Sequence, residues 1–294
     1  MKITRRLSAL FAVTLCLAVL TSASFAKNNP LIGPTGLAVD AASNLYVGNY
    51  SENNILIYNS SYAQQTSKTI TQNIGLPSGV AIDLYGNLWV SNGFPASITE
   101  YTGGVQNTSA TITKGVNDPL SLAFDGLDNL WLFNVGNVTI YNPTGAYLPP
   151  SNLERTISIS GVNCFAVGAG AFLYGTNAET FVESASATLL GSPLSSLAYD
   201  DGSVAMAPDN KGNIYFVDTS GEVWVAQPNS TATFFATLPF VPGAGNTNGL
   251  VVDNVKERLY VANYEGSEIL VYSNKPGATY GTIIHKICTT TTCP

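Results

Sequence analysis

Gly36-Leu37-Ala38-Val39-Asp40, followed after a short turn by Asn44-Leu45-Tyr46-Val47-Gly48-Asn49, decides the fold because the chain repeats it. Gly79-Val80-Ala81-Ile82-Asp83 leads to Asn87-Leu88-Trp89-Val90-Ser91-Asn92, and Ser121-Leu122-Ala123-Phe124-Asp125 leads to Asn129-Leu130-Trp131-Leu132-Phe133-Asn134. Gly249-Leu250-Val251-Val252-Asp253 leads to Leu259-Tyr260-Val261-Ala262-Asn263. Weaker copies begin at Cys164 and Ala205. Successive copies are spaced by 43, 42, 43, 41 and 44 residues. A period in the low forties, built from several short strands, marks propeller blades rather than helical solenoids.

Each unit reads as four strands. The Gly-Leu-Ala-Val-Asp run is short and apolar, as a strand buried on both faces must be. Asn-Leu-Tyr-Val is the second strand, and Ile55-Leu56-Ile57-Tyr58 is the third. Thr69-Ile70-Thr71-Gln72 is the expected fourth strand of the first unit. β-Branched and aromatic residues fill these runs, and Gly, Asn, Asp and Ser separate them. One such sheet cannot bury both faces alone, and radial stacking buries them and leaves only short edges. The expectation is an all-β, six-bladed propeller of four-stranded antiparallel blades over residues 27–294, with blades starting near 34, 77, 119, 162, 203 and 247.

Residues 1–26 read as a secretion signal. Lys2, Arg5 and Arg6 precede the apolar run Leu7 to Leu20, and Ser24-Phe25-Ala26 offers small residues for cleavage. The run is short for a membrane span. The signal carries three of the 12 Lys and Arg and none of the 19 Asp and Glu, so the mature chain has nine against nineteen, a formal charge of −10. That balance argues against nucleic acid and anionic membranes as partners. A secreted or periplasmic monomer is expected. In an oxidising compartment Cys288 and Cys293, flanking Thr289 to Thr292, suit a small terminal disulfide, whereas Cys164 at the start of an inner strand suits a buried, inert thiol.

Pro77-Ser78-Gly79-Val80-Ala81-Ile82-Asp83, running on to Asn92, resembles the NHL repeat, and the whole scaffold is similar to the gluconolactonase-like and streptogramin-lyase-like propellers. The resemblance spans Pro34 to about Ile287 and implies the propeller and its ligand-binding face. The repeat of that family carries an acid after the second strand and a basic residue soon after it. Here Asn49, Asn92, Asn134, Asn177 and Asn263 stand in place of the acid, Asp218 is the exception, and the basic followers are missing. The resemblance implies two enzyme chemistries. The gluconolactonase-like enzymes hold a divalent metal with carboxylates around the channel, and the lyase-like ones use histidines, an acid and a metal.

Function on a repeat scaffold sits where the repeat breaks. The residues preceding the first strands are expected to line the mouth of the channel: Thr35, Ser78, Leu120, Asn163, Val204 and Asn248. A hard cation needs several oxygen ligands, normally with carboxylates among them. This ring has no acid, so no metal or other cofactor is expected, and His285 is the chain's single histidine. The recurring Asn is read as opening the loop after the second strand, and the recurring Asp as opening the turn before it. The loops on the mouth face carry Tyr50, Glu52, Phe94, Tyr264 and Glu265. With Asn163 and Asn248 these are the candidate ligand-binding residues. Exposed aromatics beside amides and acids suit a glycan, peptide or protein ligand. The expected function is therefore a non-catalytic binding propeller, with a metal-assisted lactonase or lyase as the alternative.

Ring closure follows from alignment. Pro30-Leu31-Ile32-Gly33-Pro34 matches Asn73-Ile74-Gly75-Leu76-Pro77, the link from a fourth strand inward, and Thr282-Ile283-Ile284-His285-Lys286-Ile287 reads as a final fourth strand. The last blade is thus expected to come wholly from residues after about Gly249, with the first mature residues lying across the seam. The tripartite N-terminus predicts that mass spectrometry of exported protein finds a new N-terminus near Lys27; an intact Met1 outside the cell would contradict it.

Overall fold

The computed structural model describes residues 30–142, 153–158, 164–167, 172–176, 180–184, 195–197, 203–226, 231–240 and 249–288. The signal segment, Asn163, Asn177, Asn248 and Cys293 fall outside them. Every sheet is antiparallel, and the first strand of each repeat starts a meander. β1 (Pro34–Val39), β2 (Leu45–Asn49) and β3 (Asn54–Tyr58) form a three-stranded sheet. β4 (Pro77–Ile82), β5 (Leu88–Gly93), β6 (Ala96–Thr102) and β7 (Val105–Ile112) form the next, with four strands. β8 (Pro119–Phe124), β9 (Leu130–Asn134), β10 (Asn137–Tyr141) and β11 (Leu153–Ser158) follow. Then come β12 (Phe165–Val167), β13 (Phe172–Thr176), β14 (Thr180–Ser184) and β15 (Ser195–Leu197). β16 (Ser203–Pro208), β17 (Ile214–Asp218), β18 (Glu222–Ala226) and β19 (Thr233–Thr237) make the fifth sheet. β20 (Leu250–Asp253), β21 (Arg258–Asn263), β22 (Glu268–Ser273) and β23 (Ile283–Cys288) make the last.

The protein is a β-propeller with five complete four-stranded blades, not the six expected. The shortfall is in the first repeat. Residues Thr66–Lys68 wind into a short 3-10 turn, and the expected strand Thr69 to Gln72 pairs with β3 at Ile55 and Ile70, which exchange backbone bonds of 2.9 and 3.1 Å. With two isolated bridges, Ile55 to Ile70 and Tyr58 to Gln64, in place of a ladder, this edge does not form a fourth strand.

Buried clusters fill the gaps between neighbouring sheets. Trp89 and Ala81 pack with Leu122, Leu130 and Leu132. Trp131 and Phe133 meet Phe165 and Val167. Cys164 and Ala166 lie against Met206 and Phe216, and Val217 and Phe235 against Leu259 and Leu270. The seam closes in the same way, with Leu37, Leu45 and Leu56 packed on Tyr260, Ala262, Ile269 and Val271. The last sheet comes entirely from residues 250–288, and residues 30–33 add no strand to it. Leu31 is nevertheless 1% exposed and sits within the seam cluster, so the N-terminal segment is a plug as well as a link.

The recurring Asp and aromatic residue form one device. Asp83 Oδ1 accepts the N–H groups of Tyr85 and Asn87 at 2.9 and 2.8 Å, while Oδ2 accepts Asn87 Nδ2 at 2.9 Å and Trp89 Nε1 at 3.0 Å. Asp125 repeats all four bonds with Leu127, Asn129 and Trp131. Asp40 does so with Ala42, Asn44 and the hydroxyl of Tyr46, which burial and the Asp40 charge push up to about 12. The carboxylate satisfies the turn amides and locks the large ring between sheets. Deleting a buried charged acceptor leaves its donors unpaired, at about 1–3 kcal/mol for each group so stranded. Asp125→Ala should therefore lower stability by about 2–4 kcal/mol in urea denaturation, and Trp131→Phe by less, since only one donor is lost. Leu31→Ala should cost about 2–4 kcal/mol by opening the seam.

Candidate functional site: the channel and its mouth

The six first strands surround a central cavity of about 650 Å³, bounded along its length by residues from Thr35 to Val39, Ser78 to Ile82, Pro119 to Phe124 and Cys164 to Val167, among others. The neighbouring strands touch backbone to backbone. A Cβ on Gly36 would stand 2.6 Å from Val80 N, one on Gly79 2.8 Å from Leu122 N, and one on Gly249 would collide with Thr35 O. Glycine in the repeat is thus a requirement of close approach, not of turn geometry.

Two members of the expected mouth ring are staples between sheets. Thr35 Oγ1 donates to Pro77 O at 2.5 Å, and Ser78 Oγ donates to Pro119 O at 2.5 Å. Thr35 is 1% exposed. These hydroxyls tie the first strand of repeat one to that of repeat two, and that of repeat two to that of repeat three, so their protons are already donated. Leu120 breaks the pattern, lines the cavity and is 40% exposed. The backbone of Val204 lies in β16.

The recurring Asn is not a ring at the mouth, and at three positions it is not the turn-opening residue expected. Asn49 is buried; its Oδ1 accepts Ile32 N–H at 2.6 Å and its Nδ2 donates to Pro30 O at 2.8 Å. Asn134 holds Asn117 N–H and Gly115 O in the same way. Asn92 accepts Gly75 N–H at 3.0 Å. The amide clamps the link arriving from the preceding repeat, and an acid there would lose the donor half of the clamp. Asn263 does bond the turn amide of Gly266. Asp218, the lone acid of the series, accepts from the Ser220 and Glu222 amides and from Trp224 Nε1, reproducing at this end the Asp–aromatic device of the other.

Each clamped link delivers one left-handed residue to the mouth, just before the proline that opens the first strand. These are Gly33, Leu76 and Asp118, with φ of 64°, 50° and 50°. Their carbonyls accept the N–H groups of Tyr50, Gly93 and Val135. A bulky residue in this region is strained and is held there by its surroundings. Leu76 and Asp118 line the cavity. Sequence reading missed both; their signal is the residue before Pro in the aligned links Gly33-Pro34, Leu76-Pro77 and Asp118-Pro119.

Of the sequence candidates, Tyr50 and Tyr264 come together across the seam, ring centroids 5.9 Å apart and edge to face, and both line the cavity. Tyr264 also covers Gly33, where any side chain would strike its ring. Glu52 and Glu265 are exposed on the same two loops but outside the lining. Phe94 is 77% exposed and is not brought to the cavity. Asn163 and Asn248 lie outside the described residues. Asp118 is the sole carboxylate of the described lining, and Ser121 its remaining side-chain hydroxyl not tied between sheets, apart from the two tyrosines. Such a donor set does not fit a divalent metal, and no three His, Cys, Asp or Glu groups converge among the described residues.

A second titratable cluster lies on the seam away from the channel. His285 stacks on Tyr62 at 4.1 Å, and the Arg258 guanidinium covers the Tyr62 ring at 4.5 Å while donating to Ser60 O at 2.9 Å. Burial, then the Arg258 charge, hold His285 below its ordinary value of 6.5. No helix among the described residues is long and apolar enough to cross a membrane.

Neither a family profile nor a curated protein matches the sequence. Solved structures do match the fold. A gluconolactonase from Xanthomonas campestris aligns with TM-score 0.61 at 15% identity, covering 80% of this chain and 85% of that one. Virginiamycin B lyase from Staphylococcus aureus aligns with TM-score 0.58 at 13% identity, over 84% and 83%. A streptogramin B lyase aligns with TM-score 0.60 at 10% identity, over 88% and 84%. The chain therefore has the propeller fold of gluconolactonase-like and streptogramin-lyase-like proteins.

The depressed His285 sets a pH dependence. Because the unfolded chain binds the proton more readily than the folded one, His285, exposed on β23, makes a small contribution to stability that is present above about pH 6.5 and lost as pH drops below it. Between pH 8 and pH 5 the melting temperature of the native chain should fall relative to that of His285→Gln; parallel profiles would remove His285 as a contributor.

Proposed function

We propose that this is a secreted or periplasmic, monomeric NHL-type propeller that binds a ligand at the channel mouth without catalysing its conversion. The observation that carries the reading is the Tyr50–Tyr264 pair on the rim of a cavity of about 650 Å³ that also exposes Leu120 and an unengaged Asp118. Concave, mostly apolar sites with a few placed polar groups are where small ligands and peptide ends bind. The Asn clamps and the hydroxyl staples support it indirectly, because they fix the rim before any ligand arrives. Cys288 ends β23, and a bridge from it to Cys293 would tie the tail to the outermost strand.

The second reading is an enzyme of lactonase or lyase type, favoured by the named activities of the gluconolactonase and lyases that share the fold. Against it stands the lining, which offers one carboxylate and no histidine among its described residues.

Two measurements separate the readings. Treatment with a chelator should leave the melting temperature unchanged; a loss of many degrees restored by Ca²⁺ would favour the enzyme. A ligand found by thermal-shift screening should bind at least about tenfold more weakly to Tyr264→Ala, the loss expected when an aromatic contact surface at a binding centre is truncated, while the variant's own melting temperature stays near that of the native chain.

A further inference from the structure

We propose that the channel mouth selects an organic ammonium ion carrying an apolar body. This rests on the reading of the mouth as a binding site and names its ligand class. Three observations converge. First, the described lining holds one charged side chain, Asp118, and no lysine, arginine or histidine. Asp118 makes no side-chain hydrogen bond or ion pair with the other described residues, and its backbone is fixed in the left-handed region by the bond from Val135 N–H to its carbonyl. As the one charge of the described lining, this exposed carboxylate gives the mouth a field that favours a positive group.

Second, the same lining holds two aromatic rings, Tyr50 and Tyr264, which meet at the seam. The two seam tyrosines offer ring faces that attract a cation. Glu52 and Glu265 stand two residues and one residue along from them, exposed, and add to the same field. Third, the rim of the same cavity carries apolar side chains, Leu120 at 40% exposure and the half-buried Leu76. A glycan needs several side-chain partners, and the Thr35 and Ser78 hydroxyls that would serve it are already bonded to Pro77 O and Pro119 O. An ammonium group with an apolar body leaves none of these groups unmatched.

A peptide N-terminus and a small amine both present such an ammonium, and the test separates them. Calorimetric titrations would use Leu-Phe-Leu amide and phenylbutylamine, each as the free ammonium, the N-acetyl and the N-succinyl form. The ammonium form should bind about fivefold tighter than the acetyl form, the upper end of what an exposed ion pair contributes, and the succinyl form weakest. Added salt should weaken the ammonium form alone. Asp118→Asn, which keeps a residue tolerant of the left-handed backbone, should bring ammonium and acetyl forms to near equality. Tight binding of the peptide alone would assign a peptide terminus. If acetyl and ammonium forms bind equally to the native chain, the ammonium proposal fails while the channel remains a binding site. If no form of either body binds, and Tyr264→Ala behaves as the native chain, both readings fall.

Discussion

The arrangement depends on a carboxylate that is satisfied inside its own hairpin. Asp83 and Asp125 each accept two turn amides, one asparagine amide and one indole N–H. Of these donors the indole N–H is the most deeply buried, with Trp89 and Trp131 each 1% exposed, and it would otherwise be left unpaired. The last bond matters most for architecture, because it fixes where a side chain the size of tryptophan sits between two sheets. Trp89 is then the centre of one interface and Trp131 of the next. The angle between neighbouring sheets is set by what fills the gap, so the ring follows from the hairpin. Asp253 shows the cost of departing from the pattern. Its turn is one residue longer, its Oδ1 takes the Val255 and Lys256 amides and the Ser43 hydroxyl, and its buried Oδ2 has no hydrogen-bond partner.

The second constraint is at the hub. Sheets packed this closely leave no space for a Cβ at Gly36, Gly79 or Gly249. The residue before each of the first two glycines is a hydroxyl that crosses to the next strand. Close approach and staple together narrow the cavity to a channel and fix its rim. At the seam the same work is shared by Leu31, buried among the last sheet's side chains, and by the Arg258–Tyr62–His285 stack on the outside.

Much of this was legible in the sequence. The period placed the first strands, the Asp and aromatic spacing placed the turns, and the match of residues 30–34 to 73–77 placed the N-terminal link. Two things were not legible. The three-stranded first sheet was hidden because Thr69 to Gln72 has strand composition, and only the 3-10 turn at Thr66–Lys68 shows that its ladder does not form. The Asn after the second strand was read as a local turn residue because sequence shows what is near in the chain. Its actual partners are 17 and 19 residues upstream at Asn49. A clamp of that kind is visible only when the link it holds is folded against it.

Recurring and varying positions of the repeat do different work. Positions that recur are occupied by the scaffold: Asp holds the turn, the aromatic holds the interface, Asn holds the link, glycine admits the neighbouring strand and the hydroxyl staples it. None of these is left over for a ligand, whatever its polarity. The positions that vary at the mouth are those the scaffold fixes in backbone only. Gly33, Leu76 and Asp118 share one left-handed conformation and one backbone bond, and differ in side chain from nothing to an isobutyl group to a carboxylate. Tyr50 and Tyr264 meet only because the first and last repeats become neighbours on closure. A rigid frame with free choice of side chain at its rim is what allows one propeller to take very different ligands, and in this chain the choice made at the described rim is aromatic, apolar and acidic.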